Sequence, residues 1–328
     1  MATTTMTMAA ALNEGLRRAM EKNPKVLLMG EDIGKLGGVF RITDGLQKDF
    51  GEERVIDAPL AESAIVGTSV GLAMRGYRTV VEIQFDGFVY PAFDQIVSQV
   101  AKLHKRSDGA YKMALVIRIP FQGGIGAIEH HSESPEAYFA HTAGLRVVSC
   151  STPNDAYWMI QQAIEHDDPI VFFEPKSRYW EKGEVDLDAP PQGLFESAVR
   201  REGTDVTLLA YGAMVKTCLR AAEVAEGEGT SVAVIDVRSL SPLDYGPMVA
   251  SVEKTGRFAV VQESVKTASI GSELVAELQQ RCFYSLRGPG MRVSSYDIPY
   301  PPSRVEDEFR PSVDRVLDAI DQLMGFEQ

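Results

Sequence analysis

Three groups of residues in this sequence have the types and spacing that chemistry needs. The first is a lone carboxylate: Glu62 follows Pro59 and opens ESAIVGTSVGLAMRG, a run otherwise dominated by Ala, Gly, Ile, Val, Leu and Met. Such a run is too apolar for a solvated helix and predicts a helix buried on most sides. A carboxylate there could simply complement the helix dipole, although that role suits an exposed helix better. The second group is EIQFDGFVYPAF, where polar Gln84 and Asp86 sit among Phe85, Phe88, Tyr90 and Phe93. Aromatic clusters usually build core, yet ring faces beside an amide at a strand exit could equally hold a flat heterocycle. The third is the glycine-rich GGIGAIEHHSESPEAYFAHTAG, which carries His130 and His131. Adjacent histidines are commonly surface residues, but this loop leaves the C-terminal end of an expected strand, the edge where α/β folds bind ligands. Ser132 or Ser134 can cap the helix that follows, with Pro135 at its first position.

Several tempting patterns fail on context. GTSVG, Gly67–Gly71, matches the hydrolase G-x-S-x-G elbow, but Ser69 lies inside the apolar helical run rather than on a strand-to-helix turn. The histidine loop is not G-x-G-x-x-G and has no HxH or HxxxH spacing, so neither a dinucleotide fingerprint nor a metal site is expected there. No P-loop occurs, and no Gly-Asp-Gly followed by Asn could hold a diphosphate through Mg²⁺. The triplets at Thr43–Gly45 and Ser107–Gly109 are turn signals. Cys150, Cys218 and Cys282 lie far apart without CxxC spacing, as reduced core thiols of a cytoplasmic protein would.

The elements that must position these groups follow from hydrophobic patterning. Apolar runs starting at Val26, Arg54, Thr79, Ala114, Leu145 and Pro169 alternate with helical stretches. Near-continuous apolar strands between helices predict a parallel sheet covered on both faces. All three candidate groups then lie just past C-terminal strand ends of one sheet. An N-terminal helix bearing Leu12, Leu16 and Met20 opens the fold. The expected division is residues 1–185 as the first α/β domain, a Pro- and acid-rich linker over 186–196, and a smaller α/β domain over 197–328. At 328 residues the chain is long enough for two cores. Its net charge of −13 argues against nucleic acid or anionic membrane as partner. No apolar run reaches the roughly 18 residues of a membrane span, and the N-terminus lacks a secretory pattern.

The segments LLMGEDIG, GGVFRITDGL, PLAESAIVG, EIQFDGFVYPAFDQI, HHSESPEAYFAHTAGLRVV, FFEPK and YGAMV, in this order, resemble the beta subunit of thiamine-diphosphate-dependent 2-oxoacid dehydrogenases. The nearest look is to the branched-chain type, with pyruvate and acetoin dehydrogenase beta subunits sharing much of the pattern. The resemblance implies a transketolase-like pyrimidine-binding domain plus a C-terminal transketolase-like domain. It gives Glu62 the role of hydrogen-bonding the cofactor's aminopyrimidine, in a dry site where that hydrogen bond is strong. By the same resemblance Phe88 packs on the pyrimidine, Gln84 lies beside it, and His131 reaches the substrate and the acyl carrier. Many relatives carry Tyr where Phe88 stands; a phenyl ring can pack in the same way but has no hydroxyl to offer. A structural monovalent cation such as K⁺, held by backbone carbonyls, is implied at Met113, Leu115, Val116, Ala163, His166 and Asp168. The missing diphosphate motif implies an alpha subunit that holds the Mg²⁺, in an α₂β₂ heterotetramer. The acyl group would pass to a lipoyl-bearing acyltransferase docked through the C-terminal half.

Two other functions are open on the residues alone. A serine hydrolase would use Ser69, which a fluorophosphonate probe would label. A non-catalytic scaffold subunit would be indifferent to Glu62.

Overall fold

The computed structural model describes residues 3–188 and 192–326. Among them, residues up to Phe121 and from Tyr138 to Leu194 form one compact unit. Gln122–Ala137 and the residues from Phe195 onward form another. Residues 189–191, within the expected linker, lie outside the described residues.

The first unit begins with a strand that periodicity did not suggest. The β-branched run Thr3–Thr7 forms β1, and Thr7 Oγ1 accepts from Ala10 N at 3.2 Å to cap α1, Met8–Lys22. After β2 (Val26–Gly30) come α2 (Leu46–Phe50), β3 (Val55–Asp57), α3 (Glu62–Met74) and β4 (Arg78–Glu82). The helical stretch between β4 and the next strand is irregular. It runs through a 3-10 turn at Asp86–Ala92, a π-helical segment at Gln95–Val100 and the short α4, Leu103–Arg106. Then come β5 (Leu115–Phe121), α5 (Glu136–Ala140), β6 (Arg146–Ser149), α6 (Pro153–Glu165), β7 (Ile170–Pro175) and β8 (Lys182–Asp186).

Strands β6, β7, β5, β4, β2 and β3 lie side by side in that order, each pair parallel. Every residue of β2, β5 and β7 is buried, whichever way its side chain points. Only a sheet covered on both faces allows that. Helices α1 and α6 pack closely on each other. A Cβ on Gly15 of α1 would fall 2.5 Å from Ile160 and 2.8 Å from the Tyr157 carbonyl, so the two backbones meet where only glycine fits. Strand β8 pairs antiparallel with β1.

In the second unit β9 (Ala198–Arg201), β10 (Val206–Ala210), α7 (Met214–Gly227), β11 (Val232–Asp236), β12 (Ser239–Ser241) and α8 (Tyr245–Thr255) follow in turn. After them come β13 (Phe258–Val265), α9 (Ile270–Arg281), β14 (Met291–Ser295), α10 (Glu306–Phe309) and α11 (Val313–Met324). The strand order is β14, β13, β10, β11, β9, parallel except for the edge strand β9. Helix α11 buries Val316, Ala319, Ile320 and Leu323, an i, i+3, i+4, i+7 stripe, with Ser312 Oγ capping it. The stripe packs with the Cys218, Ala221 and Ala222 face of α7. Each buried branched side chain contributes about 1.5–3 kcal/mol there.

Candidate active site

Glu62 stands where β3 gives way to α3. The strand ends at Asp57, Ala58 N donates to Gly30 O at 2.9 Å, and Ala61, extended at φ −162°, starts the helix without a side-chain cap. Glu62 is therefore the first helical residue, where a carboxylate suits the dipole. It is also 8% exposed, and among the described residues its carboxylate makes no hydrogen bond or ion pair. The expectation that α3 is buried on most sides does not hold in the single chain. Ser63, Ala64, Thr68, Gly71 and Met74 are exposed along one face, while Ile65, Val66, Ser69 and Ala73 are buried on the other. An all-round apolar sequence cannot distinguish a helix buried in its own fold from one whose outer face a single chain leaves bare.

Glu31, one residue past β2, was not singled out by sequence reasoning. Its carboxyl is pushed up first by burial, then by the charges of Asp32 and Glu62. Three acids thus share the C-terminal edge of the β2–β3 pair. Ser69 lies within α3, fully buried, and its Oγ donates to Val66 O at 2.6 Å. That is ordinary helix back-bonding, with none of the exposure a nucleophile elbow provides.

The Gln84–Phe88 segment leaves β4 and packs against α3 through its 3-10 turn. Gln84 and Phe88 are half-buried. Phe88 meets Phe85 edge-on at 6.0 Å, and Phe85 in turn meets Phe40 at 5.4 Å. The turn is fixed from beneath: Asp86 and Lys176, both sealed from solvent, form an ion pair, and Lys176 Nζ lies 3.5 Å from Pro120 O. Beside it runs a second buried network. Arg118 of β5 donates to Glu82 of β4 at 2.6 Å and grips Glu174 of β7 in a fork at 2.6 and 2.8 Å, while Tyr179 OH donates to Glu174 at 2.7 Å. Burial pushes the Glu82 carboxyl up, against the pull of Arg118. Charges buried this way are costly unless fully bonded, and here they cross-link three adjacent strands, one of which, β4, leads directly into the segment that carries Gln84 and Phe88.

The histidine loop leaves β5 but folds with the second unit. Glu129–His131 form a 3-10 turn, with His131 N donating to Ile128 O at 3.0 Å. His130 is exposed and its Nδ1 lies 3.0 Å from Glu129; His131 is half-buried, its ring 5.6 Å from that of His130. The helix opens at Glu136, one residue later than sequence suggested, so Pro135 precedes it. The structure therefore groups Glu62, Gln84 and Phe88 on one sheet edge and assigns His131 to the other unit.

Comparison with known proteins bears on this geometry. Residues 4–181 match the pyrimidine binding domain of transketolase, and residues 196–316 match the transketolase C-terminal domain. The chain is 57% identical over 319 residues to the pyruvate dehydrogenase E1 component subunit beta of Leifsonia xyli, covering 97% of this chain and 95% of that one. It is 48% identical to the 3-methyl-2-oxobutanoate dehydrogenase subunit beta of Mycobacterium tuberculosis, covering 98% and 93%. The chain belongs to the beta subunits of thiamine-diphosphate-dependent 2-oxoacid dehydrogenases. Its fold superposes on a solved chain described as a split gene transketolase, inactive beta4 tetramer, with a TM-score of 0.82 at 21% identity, covering 98% of this chain and 99% of that one.

Within this 2-oxoacid dehydrogenase beta subunit, the carbonyls expected to hold a cation are partly engaged by the chain itself. Met113 O accepts from Leu115 N at 2.7 Å, and Ala163 O accepts from His166 N at 3.3 Å. His166 O accepts from Arg78 Nη1 at 2.8 Å, and the same nitrogen reaches Ile164 O at 3.0 Å. Leu115 and Val116 lie in β5, within its ladders, and Asp168 is paired through its side chain with Arg146 at 3.1 Å. Among the described residues no cluster of three or more His, Cys, Asp or Glu could hold a metal. Among the same residues no helix is long and apolar enough to cross a membrane.

Proposed function

We propose that this chain is the catalytic beta subunit of a 2-oxoacid dehydrogenase decarboxylating component, acting on branched 2-oxoacids and passing the acyl group to a lipoyl-bearing acyltransferase. The observation that carries the proposal is Glu62: a buried carboxylate without a partner among the described residues, at the C-terminal edge of a parallel sheet, on the helix that packs against the turn carrying half-buried Phe88. An unpaired buried carboxylate costs several kcal/mol unless a ligand meets it, and a nitrogen heterocycle bearing an amino group is such a ligand. The residues thus fit an aminopyrimidine.

Thiamine diphosphate, when bound, supplies an electron sink for the carbon left after loss of CO₂. Glu62 would hold a proton against the pyrimidine ring nitrogen, in a place from which water is largely excluded. Phe88 would offer its ring face and Gln84 its amide beside the same heterocycle. His131 would donate to, or accept a proton from, the substrate and the acyl carrier. With no diphosphate–Mg²⁺ motif of its own, the chain would depend on an alpha subunit for that half of the cofactor. The assembly would be an α₂β₂ heterotetramer of the bacterial cytoplasm, with the acyltransferase docking on the C-terminal half. Residues 1–185 would form the pyrimidine-binding domain and 197–328 the C-terminal domain. A K⁺ ion at the carbonyls named above would brace the first of these.

The branched-chain preference rests on the motif resemblance. Pyruvate is the second reading, favoured by the 57% identity to a relative named for pyruvate dehydrogenase. Reconstitution with the alpha subunit and comparison of kcat/KM for 4-methyl-2-oxopentanoate and pyruvate decides between them. Because extra methylenes discriminate by only about 1–3 kcal/mol, a tenfold preference either way is decisive. Turnover of neither acid, in an assembled tetramer loaded with thiamine diphosphate and Mg²⁺, overturns the proposal.

A further inference from the structure

The loop that carries His131 is tied down by carboxylates from distant parts of the second unit. Its stem closes where Gln122 N donates to Glu133 O at 2.9 Å, and the Gln122 side chain accepts from Ala213 N at 3.0 Å. Between them, three loop amides point at acids. Gly123 N donates to Glu263, while Gly124 N donates to Glu306 Oε1 at 2.6 Å and Gly126 N to Glu306 Oε2 at 3.0 Å. Tyr300 OH adds a third donor to Glu306 at 2.6 Å, and Arg310 braces Glu263 at 3.1 Å. Both acids are buried, Glu306 at 6% and Glu263 at 2% exposure.

Backbone amides turned inward from one short loop make an anion-binding concavity, and this chain fills its own with Glu306, which takes Gly124 and Gly126 on its two oxygens. The glycines are required by that arrangement. A Cβ on Gly123 would lie 1.7 Å from the Tyr300 hydroxyl, and one on Gly124, at φ +87°, would lie 2.5 Å from the Arg310 guanidinium. If the loop needed only to be packed down, an apolar side chain in place of Glu306 would avoid the desolvation of a charge. Charged acceptors give shorter, more directional bonds, which fix backbone dihedrals and not merely contact. From Gly126, only Ala127 and Ile128 intervene before the turn that ends in His131.

We propose that Glu306 is a positioning residue for acyl transfer. It sets the Gly123–Gly126 backbone and, through it, the orientation of His131. This rests on the reading of His131 given above. The test uses the assembled tetramer and three measurements on each variant: dye-coupled decarboxylation, reductive acylation of a lipoyl domain, and hydrogen exchange over residues 122–133. E306Q keeps the shape but loses one acceptor oxygen and the charge. It should lower acylation about 10- to 100-fold, the scale of an ångström-sized misplacement, lower decarboxylation clearly less, and speed exchange in the loop. Y300F keeps the carboxylate and loses one donor, so the same ordering should appear at smaller size even if E306Q assembles poorly. The double variant E306Q/H131A should acylate no worse than H131A alone, since coupled residues are not additive. Equal losses of both activities in E306Q and Y300F, or additive losses in the double variant, overturn the proposal while leaving the role of His131 standing. Unimpaired acylation in H131A itself overturns the underlying reading, and the role of Glu306 with it.

Discussion

Arg118 and Glu174 meet as a fork, Nε to Oε1 at 2.6 Å and Nη2 to Oε2 at 2.8 Å, across the β5–β7 pair and out of reach of solvent. The third guanidinium nitrogen continues to Glu82, so one cation answers two buried anions. Arg118→Met leaves both uncompensated and should destabilise the subunit by about 3–5 kcal/mol, the range for breaking a buried pair. Arg118→Lys, which cannot make the fork, should fall between wild type and Met. Urea denaturation of the three forms checks the order. A loss below about 1 kcal/mol in the Met variant would show that the cluster is not the brace argued here.

Glu62→Gln should fold and assemble, because among the described residues of this chain no partner of the carboxylate is removed. Turnover should drop at least about 10²-fold, the usual contribution of a proton-transfer group. The sharper measurement is exchange of the thiazolium C2 proton of bound cofactor, read by NMR after acid quench. Near-normal exchange in the Gln variant would remove Glu62 from that step.

His131 and His130 separate by exposure, the first half-buried and the second exposed. His131→Ala should impair acylation of a lipoyl domain more than it weakens binding of thiamine diphosphate. His130→Ala, whose ring is exposed beside Glu129, should come close to wild type. The reverse ranking assigns the role to the wrong histidine.

Alone, the chain should bind thiamine diphosphate weakly. The diphosphate carries most of the ligand's charge, and a Mg²⁺ clamp is the usual way to neutralise it. Calorimetric titration with and without the alpha subunit measures the difference. Full activity of the isolated chain contradicts a shared site.

Acid should loosen the histidine loop in a defined window. Although burial alone would raise it, the Glu306 carboxyl is held below its ordinary value by Tyr300, by the Gly124 and Gly126 amides and by Arg310. A carboxyl depressed on folding contributes stability that is complete above its unfolded pKa and disappears as pH falls through the folded one. Loop exchange rates in the wild type, corrected for intrinsic chemistry, should rise as pH drops below the normal carboxylate range, about 4.3. E306Q should lack that pH-dependent rise.

Much of the fold was legible because its signals are local. The apolar strands at Val26, Leu115 and Ile170 stand out as unbroken runs, and α11 as a clean 3.6-residue stripe. What sequence missed depended on partners distant in the chain. Thr3–Thr7 is a strand because Lys182–Asp186 pairs with it, and nothing within five threonine-rich residues says so. The π-helical segment at Gln95–Val100 has the same apolar spacing as a regular helix. At the candidate site, Glu62, Gln84 and Phe88 could be singled out from their immediate neighbours. Glu31, Glu306 and the pairing of Asp86 with Lys176 could not, because each acquires its meaning from a charge or an amide up to 182 positions away. The bare face of α3 was misjudged for a related reason: composition reports that a surface is apolar, not which molecule covers it.

Cys150, Cys218 and Cys282 are buried, and burial drives the Cys218 and Cys282 thiols up, away from the reactive thiolate. With no other sulfhydryl in the sequence, the folded subunit offers almost no background to alkylating dyes. A cysteine introduced at exposed Ile128, at the tip of the histidine loop, would therefore accept a fluorophore or spin label selectively. The subunit thus offers a dark background against which a label on that single loop can be read.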